Sequence, residues 1–324
     1  MRYVNLGTTG VQVSELCLGT MTFGKEADRQ TSRAIYRCCR EAGINFFDCA
    51  NVYSSGEAER ILGDLITGER HQLILTTKVG GSMGSGPNRE GLSRRHILQE
   101  CEESLRRLNT DWIDIYFAHR FDALVQIEES LHAFDMLVKQ GKVRYIGVSN
   151  WAAWQIAGAL GVCALRGFQP IRVIQPMYNL VKRQAEVELI PLAQDAGLGV
   201  MAYNPLGGGV LTGKYGRAPE KAAGRLAENA MYRKRYAEAW MFEAAQELKV
   251  ISNDVGMSPV SLAVAWVARN PAVTCPIIGA RSVEQLAPAL KAAEIQLTAE
   301  LYQRLSALAP SPPPATDRSE DNRK

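Results

Sequence analysis

Residues 46–78 read FFDCANVYSSGEAERILGDLITGERHQLILTTK, and the fold turns on how this stretch is parsed. It opens on a short apolar run, 46-FFDCA, and turns polar. It then passes through the helical pattern RILGDLI and closes on a second β-branched run, 73-LILTTK. Ser54-x-x-Glu57 ahead of the helix has the spacing of a capping box. A strand carried back by a helix to a second strand of the same direction is the unit of a parallel sheet. Working outward, the strand-like runs are 16-LCLGT, 46-FFDCA, 73-LILTTK, 113-IDIYFAH, 143-VRYIGVS, 173-VIQPMY, 199-GVMAYNPL and 273-VTCPIIG, each ahead of a helical pattern.

Eight such units fit a closed barrel or a doubly wound open sheet, but no G-x-G-x-x-G follows the first strand, where the open sheet would carry its phosphate turn. The chain is therefore read as α/β, a single (β/α)8 TIM barrel over residues 1–309. Tyr3 to Leu6 and Val11 to Val13 flank a Gly7-Thr-Thr-Gly10 turn and predict a hairpin over the N-terminal end of the barrel. Gly43 and Gly141 close helices, and Ser282-x-x-Gln285 opens the last barrel helix with a second capping box. Ile97, Cys101, Ser104, Leu105 and Leu108 form one apolar helix face. Two helical patterns between strands seven and eight, 232-YRKRYAEAWMFEAAQELKVI and 258-SPVSLAVAWVARN, make one helix extra to the repeat. Residues 310–324 are Pro-rich, then polar, and are expected to be disordered.

Of the 324 residues 46% are hydrophobic and 22% charged, which excludes a disordered or fibrous chain. The net charge of +3 comes from dispersed basic residues, unlike the concentrated basic face that nucleic acid requires. No apolar run approaches the roughly 20 residues of a membrane span, and the N-terminus lacks a signal-peptide pattern, so a cytoplasmic location without membrane attachment is expected. The seven cysteines have no C-x-x-C spacing and read as reduced packing residues. The four histidines show no i, i+4 pair, so no metal site is expected.

Barrel chemistry sits at the C-terminal ends of the strands. Strand two ends in Asp48-Cys-Ala-Asn51-Val-Tyr53, strand three in Lys78, strand four in His119. A buried carboxylate and ammonium on neighbouring strands are costly unless paired, so Lys78 is expected to pair with Asp48. Lys78 beside Tyr53 would stabilise a phenolate and bring the tyrosine, ordinarily near pKa ~10, closer to physiological pH as a general acid. Singly, Asp48 reads equally as a helix cap, Tyr53 as packing and His119 as a hydrogen-bonded core residue. Their joint appearance on three successive strand ends points to a site.

The segments 6-LGTTGVQVSELCLGTMTFG, 46-FFDCANVYSSGEAERILGDLI, 75-LTTKVG, 112-WIDIYFAHRFD, 143-VRYIGVSNW, 199-GVMAYNPLGGGVLTGKY and 276-PIIGARSVEQL resemble the aldo-keto reductase superfamily. The subgroup is similar to bacterial and plant reductases related to potassium-channel β subunits. The resemblance implies an NADP(H)-dependent carbonyl reductase acting on a small aldehyde, ketone or keto-sugar. Tyr53 would be general acid, Asp48 and Lys78 would tune it, and His119 would orient the carbonyl. It also implies a cofactor site of Gly19, Thr20, Met21, Asp48, Ser149, Asn150, Gln175, Tyr203, Asn204, Pro205, Leu206, Gly208, Lys214, Gly279, Arg281 and Gln285.

Several of these have their own chemical sense. Ser149, Asn150 and Gln175 offer hydrogen bonds to a carboxamide, and the Tyr203 ring offers a stacking face. The glycine loop 205–214 and the helix start after Gly279 suit phosphates, and the resemblance implies that Arg281 contacts the adenosine 2′-phosphate. Two departures from the family pattern are Asn204, where serine is usual, and Ala289, where an asparagine that contacts adenine is usual, next to Pro288 inside the expected helix. Trp112, Phe121 and Met21 suggest a partly apolar substrate pocket. Self-association stays open. A second reading is an NADP(H)-binding regulatory or interaction subunit with little turnover. A third, a Schiff-base lyase on Lys78, leaves Ser149, Asn150, Gln175 and Arg281 without roles.

Overall fold

Eight parallel strands close on one another in a computed structural model that describes residues 1–216 and 224–316. After the antiparallel hairpin β1 (Tyr3–Asn5) and β2 (Gln12–Ser14), the barrel strands are β3 (Cys17–Gly19), β4 (Phe46–Asp48), β5 (Ile74–Val79), β6 (Ile113–Ala118), β7 (Val143–Ser149), β8 (Ile171–Gln175), β9 (Gly199–Ala202) and β10 (Cys275–Ile278). They pair in chain order, and β10 closes the ring against β3. The expected barrel and hairpin are both present. β8 stops at Gln175 because Pro176 has no N–H to continue a ladder.

The period-two alternation of each strand divides the core in two. Cys17, Phe46, Ile115, Phe117, Val173, Met201, Cys275 and Ile277 point into the barrel. The hairpin adds Leu6 and Val13 to this inner cluster, so it plugs the N-terminal end as the sequence predicts. Leu18, Phe47, Leu75, Tyr116, Ile174 and Val200 face outward and meet the helices. Filling inside the barrel is tight: Gly147 on β7 sits opposite Phe117, and a Cβ there would lie 2.4 Å from the phenyl ring.

The outer ring comprises α1 (Arg29–Glu41), α2 (Glu57–Leu65), α3 (Arg94–Leu108), α4 (Ile127–Lys139), α5 (Ala153–Arg166) and α6 (Leu189–Asp195). It continues through α7 (Arg225–Glu228), α8 (Ala230–Arg235), α9 (Ala239–Asp254), α10 (Pro259–Arg269), α11 (Val283–Leu290) and α12 (Ala299–Ser306). The expected α3 face is buried, and Gly43 and Gly141 follow α1 and α4 with positive φ.

Three expectations about helices need correction. Ser54 does not cap α2: residues Tyr53–Gly56 wind a 3₁₀ turn in which Ser54 is left-handed (φ 48°), its hydroxyl donates to the Phe23 carbonyl, and Gly56 takes the cap position. The run 232–251 is not one helix. Tyr236 is buried, with its hydroxyl accepting from Asn204 and Asn179, and this anchor pulls the chain out of helical geometry between α8 and α9. Together with α7 and α10 that makes four helices between β9 and β10 among the described residues. The second capping box is half made. Ser282 caps α11 by accepting from the Gln285 N–H, while the Gln285 side chain accepts from Arg281 N–H instead of reaching the cap itself.

α11 continues through Pro288 to Leu290 and passes into a 3₁₀ turn at Lys291–Glu294. No single helix among the described residues is long and apolar enough to cross a membrane. All seven cysteines are free, six of them buried. Residues 317–324 of the tail lie outside the described residues.

Candidate active site

Inward positions on a barrel strand recur every second residue, so the side chains just beyond the inner cluster are set by it. Asp48 stands two residues beyond Phe46, His119 beyond Phe117, Gln175 beyond Val173, Tyr203 beyond Met201 and Ser149 beyond Gly147. The apolar filling of the barrel is the floor on which these polar groups rest.

At the centre, Lys78 is wholly buried and its Nζ donates to Asp48 Oδ2 (2.6 Å), the Cys49 carbonyl (2.7 Å) and Tyr53 Oη (3.4 Å). Asp48 Oδ1 accepts from Thr76 Oγ1 (2.6 Å) and Gln175 Nε2 (2.8 Å). An ammonium can only donate, so Tyr53 accepts from Lys78 and its own O–H remains to be donated elsewhere. Burial, the largest single influence, would lower the Lys78 pKa, but the attraction of and hydrogen bond to Asp48, with Tyr53 and Cys49, together outweigh it and the net shift is upward.

Tyr53 departs from the sequence expectation. Its pKa is pushed up to about 12, because loss of solvent around the phenolate outweighs the stabilisation from Lys78, and Asp48 adds to the rise. The imidazole of His119 is driven down to about 3 by burial, with Lys78 and Arg120 adding repulsion, so it is neutral at physiological pH. The Tyr53 and His119 rings meet edge to face at 6.1 Å.

A second buried network holds this centre from behind. Thr77, next to Lys78, donates to Glu59 on α2; Arg107 on α3 donates to Glu59 (2.6 Å) and Glu100 (3.4 Å). Glu100 also accepts from Asn51 Nδ2 (3.0 Å), two residues before Tyr53. Each carboxylate is buried, so the shared guanidinium is what makes the pair tolerable there. None of these links was read from the sequence, although Asn51 and Glu59 lie within the stretch that decides the fold.

A cavity of about 820 Å³ opens over the C-terminal strand ends, with Asp48, Tyr53 and His119 among its lining. The sequence matches the model of the Aldo/keto reductase family over residues 15–310. The chain belongs to this family. It is 37% identical over 328 residues to a protein of Oryza sativa subsp. japonica named probable voltage-gated potassium channel subunit beta, covering 98% of this chain and 99% of that one. It is 38% identical over 328 residues to the uncharacterized oxidoreductase YrpG of Bacillus subtilis (strain 168), covering 96% and 97%. A probable voltage-gated potassium channel subunit beta of Arabidopsis thaliana is 37% identical over 302 residues, covering 91% and 92%.

In this aldo/keto reductase the cavity collects most of the sequence-predicted cofactor residues: Gly19, Met21, Asp48, Ser149, Asn150, Gln175, Tyr203, Asn204, Pro205, Leu206, Gly208, Lys214, Gly279, Arg281 and Gln285. Thr20 is not brought there. It is buried with its hydroxyl donating to the Asp48 carbonyl, and Thr22 lines the cavity instead.

Other side chains reach the cavity already engaged. Asn150 donates to the His119 carbonyl and Ser149 Oγ and accepts from Tyr203 Oη (2.7 Å), so it braces the Tyr203 ring more than it offers hydrogens to a ligand. Asn204, left-handed at φ 63°, donates to Tyr236 Oη and accepts from Gly208 N–H; it shapes the glycine loop and is not free to bind phosphate. Gly207, Gly208 and Gly209 in that loop all take positive φ, a conformation that glycine adopts at no steric cost.

Arg281 is held by Glu228 (2.7 Å) and approached by Glu26 (3.7 Å). Ala289 faces the core, while Gln285 and Pro288 present that helix to the cavity. Trp112 is not in the pocket: it precedes β6 and stacks with His71 and Arg70, roughly 20 Å of strand from His119. Phe121 packs on Trp151 instead. The sequence reading missed Arg120, Arg225, Tyr232 and Arg235 on the lining. Arg225 opens α7, which the sequence reading did not identify, and Tyr232 and Arg235 lie on α8, which the single helical pattern 232–251 merged with α9.

Proposed function

We propose that this oxidoreductase is an NADPH-dependent carbonyl reductase of small aldehydes and ketones, with Tyr53 as general acid. The observation that carries the reading is the buried Lys78–Asp48 pair donating to a Tyr53 oxygen whose own proton is left for the cavity.

The donor set suits a dinucleotide. The cavity volume lies within the range of cofactor sites. Lys214, Arg225 and Arg281 with the start of α11 offer cations and N–H groups for phosphates. At the other end Tyr203 offers a braced ring, and Gln175 Oε1 and Ser149 Oγ keep acceptor capacity for a carboxamide. When bound, NADPH supplies the hydride that reduces the carbonyl carbon.

Neutral His119 orients the carbonyl oxygen by donating one ring N–H. Tyr53 donates its proton to the alkoxide as charge develops there; at a pKa of about 12 it is still a stronger acid than the alcohol it forms. Lys78 then stabilises the phenolate left behind, and Asp48 keeps Lys78 charged.

Purified protein titrated with NADPH and NADH should bind NADPH more tightly and reduce a panel of small aldehydes. Tyr53→Phe should bind NADPH normally but lose turnover by about 10²–10⁴-fold. Equal turnover by both proteins would remove Tyr53 from the mechanism. The names of the rice and Arabidopsis relatives favour a second reading, an NADP(H)-binding regulatory subunit, and NADPH binding with no turnover of any carbonyl would select it.

A further inference from the structure

We infer that the substrate carries an anionic group beside its carbonyl, taken up by Arg235 with help from Arg120; this rests on the carbonyl-reductase reading. Both arginines line the cavity that holds Tyr53 and His119. Arg120 directly follows His119 and repels its protonated form, and Arg235 is near enough to Tyr203 for its charge to favour the phenolate there. Arg120 is thus beside His119 and Arg235 on the Tyr203 side of the cavity, on the Tyr232 ring that it shares with Arg225, whereas Lys214 and Arg281 belong to the glycine loop and the start of α11.

Charge on that side is unbalanced. Asp48, the carboxylate on the lining, is neutralised by Lys78 at 2.6 Å. Among the described residues Arg235 has no carboxylate within 4.0 Å; its neighbours are the Tyr232 ring, 5.2 Å from the guanidinium carbon to the centroid, and Met231 Sδ at 3.7 Å. Arg120 has a 3.7 Å approach to Glu90, but both side chains are more than half exposed, so solvent leaves that pair weak.

A half-buried guanidinium over an aromatic ring has the attraction of the ring face but no counter-ion until an anion arrives. That cation and the more exposed Arg120 add a positive field within one concave site. The Arg fork suits a carboxylate or a phosphate monoester equally. Hydride and proton still go to the carbonyl carbon and oxygen, so the anion positions the substrate and takes no part in bond changes.

The test compares 4-oxobutanoate with its methyl ester, and glyceraldehyde 3-phosphate with glyceraldehyde, at low and high salt. Wild type should prefer the anionic member of at least one pair by about tenfold or more in kcat/KM, with the preference shrinking as salt screens it. The pair that shows it tells carboxylate from phosphate. Arg235→Gln should lower that ratio at least fivefold, mainly through KM, Arg235→Lys should recover part of it, and Arg120→Gln should lower it less.

Calorimetric titration of Arg235→Gln with NADPH should match wild type, which also shows that the variant is folded. Equal turnover of charged and uncharged members by wild type would sink the inference while leaving the reductase reading intact. Weakened NADPH binding with an unchanged ratio would assign Arg235 to the cofactor and overturn it too. Turnover of none of the four compounds would defeat the reductase reading itself.

Discussion

Tyr53 and His119 face one cavity with opposite displacements, the phenol pushed up to about 12 and the imidazole down to about 3. Burial is the first cause of both, since it penalises whichever form is charged. Across neutral pH the pair therefore holds a protonated phenol and a neutral imidazole, the states an acid and an orienting donor need. The same displacement bears on stability. Unfolded His119 takes up its proton near pH ~6.5, whereas folded His119 resists until about 3, so below 6.5 the unfolded state binds more protons and is favoured. Stability from this group is intact above about 6.5 and is lost as pH falls towards 3. Urea unfolding at pH 7 and pH 4.5 should show His119→Asn losing less stability than wild type over that interval; an equal loss would mean the imidazole is not the buried neutral group inferred here. The identities of Asp48, Tyr53, Lys78 and His119 were legible because strand ends are legible. Their pKa values were not, because pairwise chemistry suggested a lowered phenol and only the packed surroundings revealed the larger opposing effect.

At the scale of elements, α2 and α3 do more than cover the barrel. Through Glu59, Arg107 and Glu100 they grip Thr77 and Asn51, the neighbours of Lys78 and Tyr53. Arg107→Met would leave two buried carboxylates without a counter-charge, and breaking such a pair costs about 3–5 kcal/mol. The expected result is a urea midpoint well below wild type together with a fall in kcat as the Asn51–Tyr53 segment loosens. A variant of wild-type stability would show that the guanidinium is dispensable to the fold. The α3 face carrying Ile97, Cys101, Ser104, Leu105 and Leu108 was readable from its spacing, because a helix laid on a sheet must repeat its apolar residues at three and four. The break between α8 and α9 was not. Residues 232–251 keep a helical pattern throughout, and only the Tyr236 anchor, whose partners Asn179 and Asn204 lie on distant loops, interrupts it.

For the molecule as a whole, closure of the eight strands brings Gly19, at the end of β3 beside Asp48, against Gly279, just beyond β10. The hairpin seals the opposite end through Leu6 and Val13. Deleting residues 1–14 would expose Cys17, Phe46, Val173 and Met201 to water, so the truncated chain should bind a hydrophobic dye and aggregate on mild heating. A monomeric, dye-silent product would mean that the hairpin is not needed to close the inner cluster. The amino-acid sequence alone determined the repeat of strand and helix, the hairpin and the identity of the central four residues, because periodicity and strand ends are local properties of the chain. The tertiary structure decided what those residues meet. It engaged Asn150, Asn204 and Arg281 with protein partners, turned Ala289 into the core and brought Arg120 and Arg235 to the lining of one cavity. Such pairings join positions far apart in the chain, and their energies depend on burial that exists only once the barrel has closed.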